Sequence, residues 1–439
     1  MNNYEELYRI LCQETRPALG CTGPIGGCYV AAEAYDAAGG GEIKKITVYG
    51  GSGAAAKIDD VAFPGTEYLG AEMAYALGAV CGDPKAKLEV LHSVTPEGEL
   101  KARKVAELVE IRTEFASDEE ARGGSRRVVV ETDRGIGVAV TQGAPDGLIY
   151  KAHNDQVLLD VEPDPNNRAG HTPIMKYKIK DFYDFATTYP LEKLDIMEDA
   201  AKMNSAMTDY VLSHEEVSIR IGANILATGE DTPVTHAKAA AAAACEGRMA
   251  GVNLPIMSVG GKGNVGVAST MPIVSQAKDL GVDEETKKRA LALSCLVAIA
   301  VIHRIGKAPT MCSCEVAASM GVAAGTTLLL GGTEAQVEIA IQNLIPNVFG
   351  VVCDGAKLAC ALRMASSTGI AIDAARLAVK NVRLANNQGV LAANADASID
   401  FLGDFALNCM NDSDERLCEK LMEKREIFPL MTFNDRQKR

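Results

Sequence analysis

The sequence lacks the motifs that mark several common enzyme classes. It contains no HExxH zinc-protease motif, no Walker loop for nucleotide phosphates, and no Ser-His-Asp combination that can be assigned as a catalytic triad. Tryptophan is absent, and basic residues do not interleave with aromatic residues in a stripe. These absences point away from metalloproteases, P-loop enzymes and nucleic-acid-binding proteins.

Long hydrophobic runs are also missing. The longest apolar stretch, residues 290–302, is interrupted by Ser294 and is well short of the ~20 residues that span a bilayer. Residues 1–14 are acidic and have no uninterrupted apolar core, so they do not resemble a secretory signal. With 58 acidic residues, 44 basic residues and a net charge of −14, the chain is not expected to bind nucleic acid or an anionic membrane. We expect a cytoplasmic protein, and a homodimer.

Length and composition predict two folded domains. A chain of 439 residues exceeds what one hydrophobic core usually serves, and 47% hydrophobic residues is typical of globular proteins. Alternating apolar residues with β-branched side chains predict five strands: 42–50, 126–133, 136–143, 148–154 and 156–162. Helices are predicted at 4–13, 24–38, 66–80 and 100–110. The first domain, residues 1–175, is therefore predicted to be mixed α/β with short strands.

The second domain, residues 176–439, is predicted to be all-helical, which gives an α+β fold overall. The segment 163–178 is rich in proline and asparagine and is predicted to be the linker. After it the pattern predicts nine helices: 180–189, 194–208, 236–248, 283–302, 314–330, 334–345, 356–366, 373–385 and 412–425.

Four of the twelve cysteines form two close pairs in the helical domain. Cys312 and Cys314 form a CxC, and Cys353 and Cys360 are separated by six residues. This spacing fits neither a zinc ribbon nor the four-cysteine ferredoxin run, but three thiolates suit an iron–sulfur cluster with one iron left open. The alternative is that they pack as small hydrophobic residues. That role is assigned to most of the other cysteines: Cys12, Cys28, Cys81, Cys245, Cys295, Cys409 and Cys418.

Cys21 lies in a tight loop directly before a predicted helix. Pro17 and Pro24 flank it, and Gly20 and Gly23 permit unusual backbone geometry. A helix N-terminus lowers the pKa of a thiol, which would make Cys21 reactive. A buried structural cysteine is the equal alternative.

Two other loops contain candidate residues. His153 and Asn154 lie between two predicted strands, where loop residues often reach a site, although a solvated turn is equally compatible. Residues 261–266 match GxGxxG, a weak sign of dinucleotide binding. Pro272 shortly after it, and the lack of an acidic residue at the end of a second strand, speak against a nicotinamide site.

Several segments together resemble the L-cysteine desulfidase family, which is related to the alpha chain of iron–sulfur-dependent L-serine dehydratases. The matching segments follow the family's order over most of the chain: RPALGCTGP (16–24), VAFPGTE (61–67), RMAGVNLP (248–255), SVGGKGNVG (258–266) with TMP (270–272), CSCE (312–315) with AASMGVAAG (317–325), and CDGAKLAC (353–360).

The resemblance implies a [4Fe–4S] cluster and a lyase reaction. Cys312, Cys353 and Cys360 would bind the cluster, with Cys314 as the alternate for Cys312. Cys21 would remove the substrate's α-proton. β-Elimination of L-cysteine would release sulfide and leave aminoacrylate, which hydrolyses to pyruvate and ammonia.

The resemblance also implies where the substrate binds. Its carboxylate would lie on the glycine-rich loop, where backbone N–H groups point at an anion. Further contacts would come from Thr66 and Arg248, and His303 would lie beside the cluster or simply be packed. The loop residues in question are Gly261, Lys262, Gly263 and Asn264.

The sequence departs from the family pattern at Gly23 and Lys262, and also at positions 259, 260 and 265 of the glycine-rich loop. The acidic residue that follows Cys-Thr in the family is Gly23 here, and a serine of the glycine-rich loop is Lys262. Lys262 would bind a carboxylate as a point charge or lie exposed in the loop. Two alternatives therefore stay open: serine dehydration on the same scaffold, or a cluster- or ligand-binding paralogue without turnover.

Overall fold

The computed structural model describes residues 4–51, 53–118, 120, 125–162, 172–306, 310–425 and 432–437. Most of the predicted linker, residues 163–171, lies outside the described residues. The strands are β1 (Thr15–Ala18), β2 (Ile43–Tyr49), β3 (Val109–Arg112), β4 (Arg126–Thr132), β5 (Ile136–Thr141), β6 (Leu148–His153), β7 (Gln156–Asp160) and β8 (Ile256–Val259).

Helices dominate the rest of the described chain. The first five are α1 (Tyr4–Glu14), α2 (Thr22–Ala37), α3 (Gly53–Ala56), α4 (Ala71–Cys81) and α5 (Pro96–Ala106). The others are α6 (Ile179–Thr188), α7 (Asp195–Ser213), α8 (Ile221–Thr228), α9 (Pro233–Met249), α10 (Gly263–Leu280), α11 (Glu284–Ile305), α12 (Ser313–Leu329), α13 (Glu334–Val348), α14 (Ala359–Ala378), α15 (Ala395–Asp404), α16 (Asn411–Glu423) and α17 (Phe433–Gln437).

The N-terminal half contains a six-stranded mixed sheet with the order β3-β2-β4-β5-β6-β7. Strands β2 and β3 are parallel, and the other neighbours are antiparallel. Alternation places Val128 and Val130 of β4 in a core with helices α2 and α4, while the residues between them are only partly buried. The five predicted strands and the α+β class are confirmed.

The helical half is built around α11, which contains the longest apolar run of the sequence. Residues 290–305 of this helix are all buried, because α12, α10 and α6 surround it. The predicted separate helix at 373–385 is wrong: its first half continues α14, which ends at Ala378. Pro272 does not interrupt the helix that follows the glycine-rich loop, since burial of residues 263–273 outweighs the lost hydrogen bond.

A second, two-stranded sheet joins the N-terminal segment of the chain to the helical half. Strand β1 pairs antiparallel with β8, so the helical half contains one strand besides its helices. Helix α1 also packs into the large helical core, through Leu7, Ile10 and Leu11. Because β8 pairs only with β1 among the described strands, the glycine-rich loop is not part of a parallel βαβ unit. The topology therefore agrees with the rejection of a nicotinamide site.

Candidate active site

The pairing of β1 with β8 brings the Cys21 loop beside the glycine-rich loop. Thr15 lies opposite Val259, and the Gly260 N–H donates to the carbonyl oxygen of Glu14 at 2.8 Å. The chain then turns back, and Gly263 opens helix α10 with its N–H 3.4 Å from the Thr22 hydroxyl. Two segments that are 240 residues apart in sequence thus form one wall.

Cys21 is the N-cap of helix α2, as the Pro/Gly pattern predicted. Gly20 before it has φ +76°, and a Cβ there would lie 2.5 Å from the Pro64 side chain. Only glycine satisfies both conditions. The half-buried thiol of Cys21 is therefore held in place by a backbone that packs tightly against the 61–67 segment.

The predicted lowering of the Cys21 pKa is not what the structure shows. Burial raises the pKa of this thiol, and the charge of Arg248 and the N–H of Gly23 offset burial only in part. Desolvation disfavours the thiolate more than the helix terminus favours it. Cys21 therefore needs further positive charge nearby before it ionises readily at neutral pH.

Arg248, in the last turn of α9, contacts the Cys21 loop directly. Its guanidinium is 1% exposed, donates to the Gly20 carbonyl oxygen at 2.5 Å, and also donates to the side-chain oxygen of Asn264. Its Nε has no hydrogen-bond partner. Among the described residues, no carboxylate forms an ion pair with Arg248. A Cβ on Gly263 would collide with it. A buried, unneutralised guanidinium is a ready site for a carboxylate.

Lys262 adds a second positive charge on the glycine-rich loop. It is half-buried at the N-cap of α10, and its charge faces the thiols of Cys21 and Cys353. Burial lowers the pKa of the Lys262 ammonium, while the neighbouring thiols act in the opposite direction. The lysine is therefore directed into the site rather than lying exposed in the loop.

The cysteine pairs of the helical half meet across a short backbone ladder. The Cys312 N–H donates to the Val351 carbonyl oxygen at 2.8 Å, and the Cys353 N–H donates to the Thr310 carbonyl oxygen at 2.7 Å. Cys312 is also the N-cap of α12, and Cys360 lies in the first turn of α14. Two helix N-termini and one loop thus present three thiols to a common space.

These thiols interact with one another. The hydrogen bond with Cys314 and burial raise the pKa of Cys312 to about 12, and burial raises that of Cys360 to about 12. The hydrogen bond with Cys312, together with burial, raises the pKa of Cys353. Such thiols stay protonated unless a cation compensates their charge, and a bound metal does so outright.

Comparison with known proteins agrees with this arrangement. A family model for the serine dehydratase alpha chain matches residues 85–419, which include Arg248, the glycine-rich loop and the cysteine pairs. The chain belongs to the serine dehydratase alpha chain family. The predicted superfamily is therefore confirmed, whereas specificity for L-cysteine stays a prediction.

Three relatives illustrate the range of the family. The chain is 32% identical to a UPF0597 protein of Phocaeicola vulgatus, over 96% of this chain and 98% of the relative. It is 31% identical to one of Caldanaerobacter subterraneus (94% and 97%) and 33% identical to one of Photobacterium profundum (94% and 97%). Each of these matches covers a larger share of the chain than the family model does.

The described thiols are not arranged as a site for a single metal ion. Within the described ranges, no three His, Cys, Asp or Glu side chains are arranged to hold one metal ion. A [4Fe–4S] cluster attaches each thiolate to its own iron, so its ligands surround a larger body. Cys312, Cys353 and Cys360, on separate elements around a shared space, are compatible with such a group.

Two residues of this site were not predicted from the sequence. Cys245 was assigned to packing, yet its thiol interacts with Cys360 and Cys21. Arg363, one turn after Cys360, faces Cys312 and donates to the Val352 carbonyl oxygen at 2.7 Å. The i, i+3 spacing of Cys245 and Arg248 places both on one face of α9, but this spacing does not show that the face meets the cysteine pairs.

Thr66 and His303 lie at the margins of the site. Thr66 is 7% exposed, and its hydroxyl has no partner in the described part of the chain. It belongs to a segment whose Gly65 N–H donates to the Gly251 carbonyl oxygen at 3.3 Å, close after Arg248. His303 is 2% exposed and lies 3.2 Å from a Glu14 carboxylate oxygen, beneath the glycine-rich loop.

His153 and Asn154 are not brought to this site. The His153 ring bonds the Ala37 carbonyl oxygen at 2.7 Å, at the C-terminal end of α2, whereas Cys21 lies at its N-terminal end. A 16-residue helix is about 24 Å long. Asn154 closes the turn by accepting from the Ile136 N–H at 2.9 Å. His153 therefore joins the sheet to α2 and Asn154 stabilises the turn, and neither lies beside the Cys21 loop.

No helix of the described residues has the length and apolarity that a bilayer span requires.

Proposed function

We propose that this protein is an iron–sulfur-dependent lyase that eliminates the β-substituent of a small L-amino acid, with L-cysteine as substrate. The observation that carries the proposal is the buried guanidinium of Arg248, which lacks a carboxylate partner among the described residues and bonds the residue before Cys21. A carboxylate bound there would place the substrate's α-carbon near the Cys21 thiol. Family membership independently favours lyase chemistry.

The cofactor would be held by the thiols already described. A [4Fe–4S] cluster on Cys312, Cys353 and Cys360 would supply an open iron that acts as a Lewis acid on the β-substituent. Arg363 and Lys262 would lie beside its thiolates, where positive charge stabilises them.

The chain's own residues bind and deprotonate the substrate. Arg248 and the N-terminus of α10 bind the α-carboxylate, and Thr66 offers its unpartnered hydroxyl. Cys21, as thiolate, accepts the α-proton. The electron pair of the broken C–H bond forms the C=C bond as the C–S bond breaks. Sulfide leaves with the electron pair of the C–S bond. Aminoacrylate then hydrolyses to pyruvate and ammonia.

The test is anaerobic reconstitution with iron and sulfide, followed by measurement of bound iron and of sulfide released from L-cysteine. The wild-type protein is compared with Cys353→Ala and with Cys12→Ala, a half-buried cysteine on α1 that serves as the control. We expect about four irons per chain and sulfide release, both lost in Cys353→Ala and kept in Cys12→Ala. Failure of the wild-type protein to bind iron would overturn the cofactor assignment.

Serine dehydration is the second candidate, because the description of the family names that activity. Keto-acid formation from L-cysteine, L-serine and L-threonine, measured side by side, separates the two. A preference for L-serine would replace the desulfidase proposal. Iron binding with no turnover of any of the three would instead support a ligand-binding paralogue.

A further inference from the structure

Residues 57–66, termed here the bridging segment, contact three parts of the candidate active site: the Cys353 loop, the Cys21 loop and the end of α9 that follows Arg248. At one end, the Ala356 N–H donates to the Lys57 carbonyl oxygen at 3.0 Å. Gly355 has φ +99°, and a Cβ there would lie 2.7 Å from the Lys57 backbone. The loop that contains Cys353 therefore rests directly on this segment.

The other end of the bridging segment contacts the Cys21 loop and the end of α9. Pro64 packs against Gly20, the residue before Cys21. The Ala62 N–H donates to the Met249 carbonyl oxygen at 3.0 Å, directly after Arg248. A shift of this one segment would thus move the proposed base, the guanidinium and a cluster thiol relative to one another.

A buried ion triad fixes the bridging segment from the C-terminal side. The guanidinium of Arg425 donates to both carboxylate oxygens of Asp59, at 2.5 and 3.0 Å, and to Glu72 at 2.6 Å. The three side chains are only 9%, 14% and 9% exposed. The same Asp59 carboxylate accepts the Ala71 N–H at 2.8 Å, at the start of α4.

Other contacts from the end of the chain reinforce this arrangement. Lys57 pairs with Asp414 of α16 at 2.5 Å, and the Phe433 N–H donates to the Glu67 carbonyl oxygen at 2.8 Å. All of them attach residues after 410 to the segment 57–72. Desolvation offsets much of the attraction within a buried ion pair, so these contacts are expected to add little net stability.

We propose that Arg425 is a positioning residue that sets the geometry of the candidate active site through the bridging segment. It touches neither substrate nor cofactor. Its planar guanidinium bonds Asp59 and Glu72 at once, which fixes both ends of a loop that includes Thr66. Lysine has a point charge and would hold these two carboxylates less completely.

The first test does not depend on the proposed function. The full-length protein is treated with iodoacetamide, and alkylation of Cys353 is followed by peptide mass spectrometry with Cys12 as the internal reference. We expect Arg425→Gln to increase the rate at Cys353 several-fold, Arg425→Lys to reverse most of that increase, and Cys12 to stay unchanged. Arg416→Gln, at an exposed arginine of helix α16, which ends at Glu423 just before Arg425, is the matched control.

The second test rests on the proposed function. In the reconstituted enzyme we expect Arg425→Gln to lower kcat more than it raises KM, and Arg425→Lys to recover part of kcat. If the wild-type protein proves inactive, the alkylation experiment still decides the matter. Folded Arg425→Gln with wild-type alkylation of Cys353 would overturn the proposal. If Arg425→Gln does not fold, the milder variant Glu72→Gln must show the same increase in the rate of Cys353 alkylation. A wild-type rate in Glu72→Gln would then overturn the proposal.

Discussion

The guanidinium of Arg248 donates a hydrogen bond to the carbonyl oxygen of Gly20, 2.5 Å away and 228 residues earlier in the chain. Gly20 immediately precedes Cys21, so this bond links the proposed carboxylate site to the proposed base. Both partners are buried, and water therefore competes little for the bond. Changes at Arg248 are expected to affect substrate binding and the placement of Cys21 together.

Arg248→Lys tests the carboxylate site. The planar guanidinium of Arg248 bonds Gly20 and Asn264 and still has Nε free for a ligand. Lysine keeps the positive charge but cannot make these contacts together. We expect kcat/KM to fall about 10- to 100-fold, since a hydrogen bond to a charged group is worth about 1.5–3 kcal/mol. Arg289→Lys, a partly buried helical arginine of α11, is the control. Unchanged kinetics in Arg248→Lys would contradict this role.

Gly263→Ala tests the same site from the opposite side. The new methyl group would collide with the Arg248 guanidinium, so the arginine must move or the helix α10 must shift. We expect a loss of about 1–3 kcal/mol in the free energy of unfolding, and a raised KM. Urea denaturation and steady-state kinetics measure the two effects.

Gly369→Ala is the matched control for that substitution. It lies inside helix α14, where a Cβ would meet only the Lys238 side chain at 3.6 Å. Alanine should stabilise this position by up to about 1 kcal/mol, as in other helix interiors. If both variants behaved alike, the crowding around Arg248 would not be specific.

Local patterns in the sequence predicted many of the helices and strands but not their assembly. The alternation in β4 (Arg126–Thr132) was sufficient to predict that strand, because one of its faces is buried and the other is not. The Pro/Gly punctuation around Cys21 likewise predicted a loop that ends at a helix N-terminus. Both depend only on neighbours in sequence.

Long-range contacts decided what local patterns could not. Strand β1 is only four residues long and contains Pro17, so its pairing with β8 depends on tertiary structure rather than strand propensity. Cys245 lies in an alanine-rich helix that is buried on most sides, so no periodicity distinguishes its thiol from a packed one. The sequence indicated that His153 lies in a loop between two strands. It did not indicate that this loop packs at the C-terminal end of α2, away from Cys21.

The choice between Cys312 and Cys314 is open to direct measurement. The Cys312 backbone is hydrogen-bonded to the loop that contains Cys353, whereas Cys314 lies one residue inside α12. We expect Cys312→Ala to lose bound iron after anaerobic reconstitution, and Cys314→Ala to retain most of it. Iron analysis of the two variants decides; retention by Cys312→Ala and loss by Cys314→Ala would exchange their roles.

His236 gives a pH-dependent contribution to stability that is separate from the site. Hydrogen bonds to Asp279 and then Asp231 raise its pKa above 6.5. The contribution is therefore present below the unfolded-state pKa and is lost as the pH rises through the folded-state value. We expect His236→Gln to destabilise the protein by about 0.5 kcal/mol near pH 5.5, and by less near pH 8.5. Urea denaturation at both pH values checks the sign, and a larger effect at the higher pH would contradict it.

Gly23→Glu restores the acidic residue of the desulfidase pattern. Gly23 is exposed in the first turn of α2, and a Cβ there would meet only the Ile58 side chain at 3.5 Å, an ordinary contact. Replacing a helical glycine and adding negative charge at a helix N-terminus should together stabilise the protein by about 1 kcal/mol. A thermal melt measures this effect.

The same substitution shows whether Gly23 limits turnover. If a carboxylate at this position orients the substrate ammonium group, kcat/KM for L-cysteine should rise in Gly23→Glu and stay unchanged in Gly23→Gln, which has the same size without the charge. Equal kinetics in both variants would mean that Gly23 is neutral to catalysis. A loss of activity in the folded Gly23→Glu variant would instead indicate that the negative charge opposes the Cys21 thiolate, because both lie at the same helix N-terminus.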